Sequence, residues 1–422
     1  MPELTPDVLT HRDSGPVVDV SSEPRASRKR GLLHRLRLCR RRVAVVVVLV
    51  GLAPVIYSFV STVMRPSSVP LGVRSVEWLR ASGGAWLVDD VERIYYTWRA
   101  PKKGGPQLKA LPPVGTPSRQ LSARRGTKPT PTPARGSPRA YRPARVRPLL
   151  RPALPGEGVW AGTGVLVKGG SPILATTLRP DRDYPRIVAY IAWIDHLRTQ
   201  TALYPGRYEP PRGSPRGPME VPQGQRWRLL ATFNSGFTYG DGHGGFAVDG
   251  RSYTPLTRGT ATLVGYRDGR VDVMAWRGGY MPGRDVAFAR QNLPLIVSHG
   301  RLNPALDDSS KWGHTLGNAV RVWRTGVGVD AHGNLIYIAA DYQTVVSLAR
   351  IFIHARAVRA MELDINPEWP SFITYGAPGA RIPSKLVPNT MQSDQRYLRP
   401  DDRDFFAVYR RLGHGPTLVP LQ

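Results

Sequence analysis

Residues 359–369 read Arg-Ala-Met-Glu-Leu-Asp-Ile-Asn-Pro-Glu-Trp, and this stretch decides the fold. A helix is predicted just before it, and a short apolar strand then ends in two acids, Glu362 and Asp364. Pro367 closes the segment in a turn. Because α/β enzymes often place their chemistry where a strand ends in polar groups, both acids are candidate site residues. The competing interpretation is that they are solvated residues at a strand end.

The net charge of +28 on 422 residues lies mostly outside the predicted globular part. Residues 101–156 contain 13 Lys and Arg and no acid, residues 1–42 have a net charge of +5, and residues 157–422 keep +9. Since basic tails account for most of the charge and no zinc-finger or RNA-binding signature is present, we predict no nucleic-acid partner. The single cysteine, Cys39, excludes an internal disulfide framework and a Cys-rich metal site.

An uncharged apolar run, residues 43–64, predicts a transmembrane helix. At about 1.5 Å per residue, the run matches the roughly 30 Å hydrocarbon core of a lipid bilayer. The basic flank before it predicts that residues 1–42 are a cytoplasmic tail and that the C-terminal domain is extracytoplasmic. We therefore expect a single-pass protein of the cell membrane. A cleaved signal peptide is the alternative, but the run is long and no clear cleavage site follows it.

A helical stalk is predicted over residues 65–100. Its apolar residues recur at helical spacing, and Gly83-Gly84 divides the pattern into two short helices. Three aromatic residues late in the stalk are interpreted as simple packing residues, with contact to lipid headgroups or to the main domain as the alternative: Tyr95, Tyr96 and Trp98.

Residues 101–156 are predicted to be a disordered linker. Pro, Arg, Lys, Gly, Ser and Thr dominate this segment, so it contains too little apolar surface to form a core. Its charge suits binding to anionic polymers of the cell envelope, and a plain spacer is an equal alternative. At the other end of the chain, residues 413–422 are predicted to be a C-terminal tail.

Residues 157–412 have the pattern of one folded domain in which strands outnumber helices. The Arg267-Asp268-Gly269 turn between two alternating segments is a hairpin signal. A helix that begins at Thr344 connects two strands and predicts one β-helix-β crossover. The predicted fold class is α+β, with mixed, largely antiparallel sheets and flanking helices, preceded by one transmembrane helix and a disordered linker.

Polar residues also stand where other predicted strands begin or end. Asn234 ends a strand, and a glycine-rich loop follows from Gly236; such loops let backbone N–H groups approach an anion. The remaining candidates flank later strands: Gln291, His299, Arg324 and Asp341. For His299, a structural role is the competing interpretation.

The order of these segments resembles the phosphodiester glycosidase family. The segments are a strand ending in Asn-x-Gly-Phe, a Gly-rich turn, Gln-Asn-x-Pro-Leu-Ile-Val-x-x-Gly, Arg-Thr-x-x-Gly, a Thr-initiated helix and Leu-Asp. The resemblance covers residues 158–410 and is closest to membrane-anchored actinobacterial members. It implies that the family's motif residues fall on Asn234, Gly236, Arg324 and Asp364.

The segment after Asp364 departs from the family pattern. Better-studied members have Gly-Gly-Gly-Ser there, whereas this chain has Ile365, Asn366, Pro367 and Glu368. A glycine loop can wrap a phosphate with its N–H groups, but a proline removes one N–H and a glutamate adds a negative charge. A sugar-acting site with several carboxylates is therefore better supported than a phosphate-binding one.

The first functional hypothesis is a glycosidase that acts on sugar-phosphate diester or related glycosidic bonds of cell-envelope or extracellular polysaccharide. The reaction passes through an oxocarbenium-like state and needs a carboxylate near the anomeric carbon and an acid at the leaving oxygen. Asp364 is assigned as nucleophile or base, Glu362 or Glu368 as acid, and Arg324 as donor to an anionic leaving group. The residues assigned to substrate binding are Asn234, Gly236, Gln291, His299 and Asn366.

Two further interpretations remain open. Asp341 and Asp364 are candidate ligands for Ca²⁺ or Mg²⁺, which prefer oxygen donors. The second functional hypothesis is a non-catalytic protein of the same fold that binds cell wall or polysaccharide, because a fold does not fix a function.

Overall fold

The computed structural model describes residues 25–114, 141–167, 170–211, 213, 216–308, 311–313, 320–388 and 390–412. The chain divides into two compact units, Met1–Thr62 and Val63–Gln422. Helix α1 (Arg25–Met64) contains a span, Cys39–Met64, that is long and apolar enough to cross a membrane. The first 24 residues of the predicted cytoplasmic tail and the predicted C-terminal tail lie outside the described residues.

The predicted stalk contains two helices, α2 (Leu71–Leu79) and α3 (Ala85–Arg99), separated by a π-helical turn (Arg80–Gly84). The break falls at Gly83, whose φ of +89° is a conformation that glycine adopts at little cost. Trp98 is 84% exposed, so it does not pack against the domain.

The domain contains eighteen strands among the described residues. They are β1 (Ala161–Thr163), β2 (Ile173–Leu178), β3 (Ala189–Ile194), β4 (Thr199–Tyr204), β5 (Leu229–Asn234), β6 (Phe246–Val248), β7 (Arg251–Thr254), β8 (Ala261–Tyr266), β9 (Val271–Ala275), β10 (Val286–Gln291), β11 (Leu295–Ser298), β12 (Arg301–Leu302), β13 (Val322–Asp330), β14 (Leu335–Gln343), β15 (Ala357–Glu362), β16 (Phe372–Ala377), β17 (Arg381–Lys385) and β18 (Phe405–Arg410). Two further helices are α4 (Tyr239–Gly242) and α5 (Val345–His354).

These strands form three sheets, and every pairing between named strands in the described residues is antiparallel. The strand orders are β1-β2-β3-β14-β13-β15-β11-β12, β7-β6-β10-β8-β9 and β17-β16-β5-β18-β4. Because β14 and β15 both pair with β13, they run parallel to each other, and α5 connects them as the predicted crossover. The α+β fold class with antiparallel sheets is confirmed.

Helix α5 begins at Thr344 because of a local hydrogen-bond exchange. The Thr344 hydroxyl accepts from the Ser347 N–H at 3.0 Å, and the Ser347 hydroxyl accepts from the Thr344 N–H at 2.9 Å. The buried side of the helix places Phe352 against β13, where a Cβ on Gly326 would lie 2.8 Å from its ring. The glycines of this strand therefore make room for the helix that leads into β15.

Both ends of the predicted disordered linker are packed on the domain. Val146 is buried in a core cluster with β2 residues, Leu149 packs against that cluster, and Leu108 packs against the larger core cluster. The prediction of disorder is therefore wrong for residues 101–114 and 141–156, because a few well-placed apolar residues suffice to fix a Pro-rich segment onto an existing sheet. Residues 115–140 lie outside the described residues.

A buried arginine, Arg179, forms hydrogen bonds with both ends of the predicted linker. Arg179, after β2, contacts both carboxylate oxygens of Glu157 at 2.8 and 3.0 Å, the Gln107 side chain at 2.8 Å and the Pro152 carbonyl at 2.7 Å. Arg179 and Glu157 have no exposed side-chain surface. Removing one member of such a pair leaves the other charge buried without compensation.

We predict that Arg179→Met lowers the free energy of unfolding by roughly 3–5 kcal/mol. Urea unfolding of the full chain in detergent micelles, followed by tryptophan fluorescence, measures the change. Arg182→Met, which alters an exposed arginine three residues away, is the control and should change little. Equal stabilities of the two variants would contradict the assignment of residues 141–157 to the domain.

Candidate active site

The carboxylate of Asp364 lies where two sheets meet. Beyond the end of β15, the Leu363 N–H donates to the Thr325 carbonyl at 2.8 Å and the Asp364 N–H to the Ser235 carbonyl at 3.1 Å. The Thr325 hydroxyl donates to the Asp364 carbonyl at 2.7 Å. Since Thr325 is on β13 and Ser235 follows β5, the backbone of Asp364 is fixed from both sides.

The turn after Asp364 is built from side chains in place of glycines. One Asp364 oxygen accepts from the Asn366 N–H at 2.9 Å, and the Asn366 side-chain oxygen accepts from the Glu368 N–H at 2.9 Å. Two successive turns of this Asx type carry the chain to Glu368. Asn366, predicted to bind substrate, therefore shapes the turn that positions Glu368.

Arg403 holds the second oxygen of Asp364. Its Nη2 donates to Oδ2 of Asp364 at 2.6 Å and to the Gly236 carbonyl at 3.2 Å, and its guanidinium carbon lies 4.9 Å from the centre of the Trp369 ring. Burial raises the pKa of Asp364, and the Arg403 cation opposes this rise. Asp364 and Gly236, both predicted site residues, thus contact the same arginine, Arg403, which was not among the predicted site residues.

Glu368 has a different environment from Asp364. It is 4% exposed, and its nearest cation, Nη1 of Arg80, is 3.4 Å away. Arg80 also binds Glu92 at 2.7 Å and Glu77 at 3.1 Å, so its charge is shared. Burial, and then the negative charge of Glu77, raise the pKa of Glu368 to about 8. Glu368 is therefore protonated at neutral pH.

Glu362 and Arg324, predicted as acid and leaving-group donor, form a buried ion pair with each other. Nη1 of Arg324 lies 2.5 Å from Oε1 of Glu362, and its Nε donates to the Gln343 carbonyl at 3.0 Å. Burial raises the pKa of Glu362, while Arg324 opposes the rise. Both side chains are at most 5% exposed. Because Arg324 binds Glu362 and the Gln343 carbonyl, the two side chains support the edge of the sheet beneath Asp364. We therefore do not propose Glu362 as the acid or Arg324 as the donor to the leaving group.

The side-chain amides of Asn234 and Gln291, both predicted to bind substrate, form hydrogen bonds with other groups of the protein. Asn234 accepts from the Tyr337 hydroxyl at 2.8 Å and the Ser371 N–H at 3.1 Å, and donates to the Thr325 hydroxyl at 3.1 Å. Gln291 accepts from the Gly245 and Thr257 N–H groups. Both positions were predicted to bind substrate, but their hydrogen bonds hold the glycine-rich loop and the strand ends in place.

Two predicted residues are exposed, unlike the buried Asp364. His299 is exposed at a φ of +51° in the turn between β11 and β12, where Gly300 binds the Val358 carbonyl near the start of β15. Asp341 is exposed, and its carboxylate accepts from the N–H of the next residue, Tyr342, at 2.7 Å. His299 is therefore a turn residue near the start of β15, whereas the carboxylates lie at the end of that strand.

The predicted Ca²⁺ or Mg²⁺ site stays a prediction. Within the part of the chain that the structure describes, no group of three or more His, Cys, Asp or Glu side chains is arranged to hold a metal ion. Both oxygens of Asp364 already accept hydrogen bonds, one of them from a cation. We therefore derive no step through a metal.

The residues that sequence reasoning missed are distant in the chain. Arg403 lies 39 positions after Asp364, and Arg80 lies in the turn between α2 and α3. A signal for Arg403 was present in the charged run Asp401-Asp402-Arg403-Asp404 immediately before β18. Nothing local marks Arg80, whose role depends on the packing of Val69 and Val73 against Trp369.

Comparison with known proteins gives only distant structural likeness. No protein-family description and no curated protein matches the chain. Among solved structures, the zebrafish N-acetylglucosamine-1-phosphodiester alpha-N-acetylglucosaminidase catalytic domain, described as auto-inhibited by its pro-peptide, aligns with a TM-score of 0.37 and 17% identity over 59% of this chain and 87% of that one.

Two other solved structures are similar at a lower level. A hypothetical protein from Synechocystis aligns with a TM-score of 0.33 and 12% identity over 58% of this chain and 63% of that one. A putative exported protein from Burkholderia pseudomallei has a TM-score of 0.25 and 11% identity, with coverages of 53% and 74%. TM-scores this low carry no inference about function, so the function rests on the site itself.

We predict that Glu368→Gln changes the dependence of stability on pH. The folded wild type keeps the Glu368 proton up to about pH 8, whereas the unfolded chain loses it above the ordinary value of 4.5. The wild type is therefore expected to lose more stability than the variant as pH rises from 5 to 8, by roughly 1–4 kcal/mol. Urea unfolding at several pH values tests this; parallel pH profiles would refute the raised pKa.

Proposed function

We propose that this chain is a membrane-anchored glycosidase that hydrolyses a sugar-phosphate diester or a related glycosidic bond. The observation that carries the proposal is the contrast between two neighbouring carboxyl groups. Asp364 is paired with Arg403 at 2.6 Å, while Glu368 has a pKa of about 8. Two acids whose environments differ in this way suit the separate roles of nucleophile and proton donor.

In the proposed reaction, Asp364 stabilises or attacks the anomeric carbon as positive charge develops there. For a leaving oxygen of high pKa, such as a sugar hydroxyl, Glu368 donates its proton to that oxygen, whereas a phosphodiester departs as an anion without it. Water attacks the anomeric carbon to complete the hydrolysis. Asn366 positions Glu368 through the turn, and Arg403 positions Asp364. Glu362 and Arg324 support the strand below, so a substitution there acts through stability.

An anionic leaving group, such as a phosphodiester, fits the cations around these acids. Arg403 and Arg80 both lie beside the carboxylates, and their guanidinium groups can donate two parallel hydrogen bonds to a phosphate. In this chain, Arg403 and Arg80 would bind the phosphate that the N–H groups of the glycine loop would bind in the family that the sequence resembles. The phosphodiester glycosidase assignment and the envelope or extracellular polysaccharide substrate belong to this proposal.

The location is proposed on sequence grounds. The span Cys39–Met64 is long and apolar enough to cross a bilayer, and the basic residues before it favour a cytoplasmic N-terminus. The catalytic domain is then extracytoplasmic. The basic residues between positions 101 and 156 are proposed to contact anionic envelope polymers.

A non-catalytic binder of polysaccharide is the second candidate, favoured by one observation. Asp364 and Glu368 are only 5% and 4% exposed, so a substrate needs room that the side chains now occupy. A binder would recognise a glycan through the exposed rim, including Asp241 and Glu77.

We predict that Asp364→Asn abolishes sugar release, with a loss of at least about 10³-fold, because the carboxylate that meets the developing positive charge is gone. The assay uses the full chain in detergent micelles with a panel of anomeric phosphodiesters and aryl glycosides. Asp285→Asn, an exposed acid after β9, is the matched control and should retain wild-type rates. Full turnover by the Asp364 variant would contradict the mechanism; no release by any protein, with glycan binding retained, would favour the binder.

We predict that Glu368→Gln slows hydrolysis by roughly 10²–10⁴-fold for leaving groups of high pKa, and much less for nitrophenolate, which needs no proton. The wild-type rate should fall as pH rises through about 8, where Glu368 loses its proton. The variant should lack this alkaline limb. An unchanged pH–rate profile in the variant would assign the proton donor elsewhere.

A further inference from the structure

Helix α3 presents an apolar stripe to the outside of the domain. Leu87, Val91, Ile94 and Trp98 follow one another at intervals of four, three and four residues, which places them on one side of a helix. Their exposed fractions are 43%, 58%, 68% and 84%. A soluble monomer rarely leaves such a contiguous apolar surface in water.

The stripe is exposed although the helix itself is held on the domain. Val88 is buried, and Nη2 of Arg80, the arginine beside Glu368, donates to both carboxylate oxygens of Glu92 at 2.7 Å. These two residues lie on a different side of the helix from the stripe. The helix is therefore fixed in orientation, with its apolar residues directed away from the core.

The connection between the proposed membrane span and the stalk is short. Helix α1 ends at Met64 and α2 begins at Leu71, so six residues lie between them. The seven Cα–Cα steps across this connection extend at most about 25 Å, which keeps a bilayer around α1 within reach of the stalk. Tryptophan is enriched at membrane interfaces, and amphipathic helices lie there with the apolar side in the lipid.

We propose that α3 lies in the lipid–water interface of the bilayer that α1 crosses, with Leu87, Val91, Ile94 and Trp98 in the lipid. This inference rests on the membrane anchor of the proposed function, but not on the catalytic activity. The 13 basic residues that follow α3 without any acid add attraction to anionic headgroups. Because Glu92 and Arg80 connect α3 to Glu368, the site would face substrate at the membrane surface.

The test measures the surroundings of single nitroxide labels in the full chain. On a Cys39→Ser background, labels are attached at Val91→Cys and Ile94→Cys in the stripe, at Asp90→Cys on the polar side, and at Leu49→Cys in α1. The protein is reconstituted into vesicles of phosphatidylcholine and phosphatidylglycerol at a ratio of about 3:1, chosen for a moderately anionic surface. Collision with oxygen reports lipid, and collision with a water-soluble nickel chelate reports water.

We expect the ratio of oxygen to nickel collision to be roughly threefold or more higher at positions 91 and 94 than at position 90. Dominant nickel collision at the stripe would place it in water and overturn the proposal. Low collision with both reagents would show a protein cover, such as a second copy of the chain, and overturn it equally. Position 49 separates the causes: a water-exposed label there would mean that the anchor itself is absent.

Discussion

The cost of removing three carboxyl groups from water is the constraint on which the site depends. Asp364, Glu362 and Glu368 lie within seven residues, and each is at most 5% exposed. A buried carboxylate costs several kcal/mol unless a cation or hydrogen-bond donors compensate, or unless it keeps its proton. Asp364 and Glu362 each have an arginine within 2.6 Å, whereas Glu368 is the one for which protonation is the better solution.

The three carboxyl groups differ in the cations that lie beside them, and this difference arises from the tertiary structure. Arg403 reaches Asp364 because β18 lies beside β5, the strand that ends next to Ser235. Arg80 serves three carboxylates at once, and the closest of its contacts are with Glu92. Because its charge is divided, Glu368 receives little of it. The stalk therefore contributes to the raised pKa of Glu368, which burial causes first, through the negative charge of Glu77 and the divided charge of Arg80.

Sequence reasoning predicted the features whose causes are local. The β8–β9 hairpin follows from the turn at Gly269, the cap of α5 from Thr344 and Ser347, and the carboxylates at the end of β15 from their order in the chain. It did not predict the roles of Asn234, Gln291 and Arg324, because an amide or guanidinium has the same sequence signature whether it binds substrate or the protein's own backbone. Arg403 and Arg80 were missed since only folding brings them to Asp364 and Glu368. The ordered ends of the linker were missed because their few apolar residues need an existing sheet to cover.

The replacement of glycines after Asp364 changes how an anion can be recognised. A glycine loop offers backbone N–H groups, which carry partial charges and bind phosphate through geometry. In this chain two of the N–H groups in the turn, those of Asn366 and Glu368, are already bound to side-chain oxygens, and Pro367 has none. Recognition must then depend on the guanidinium groups of Arg403 and Arg80, which also bind the carboxylates of the site. Guanidinium groups on long side chains tolerate a wider range of anions than a rigid loop does. Once deprotonated, Glu368 would repel a bound anion. Anion binding and proton donation at this site therefore require the same protonation state of Glu368.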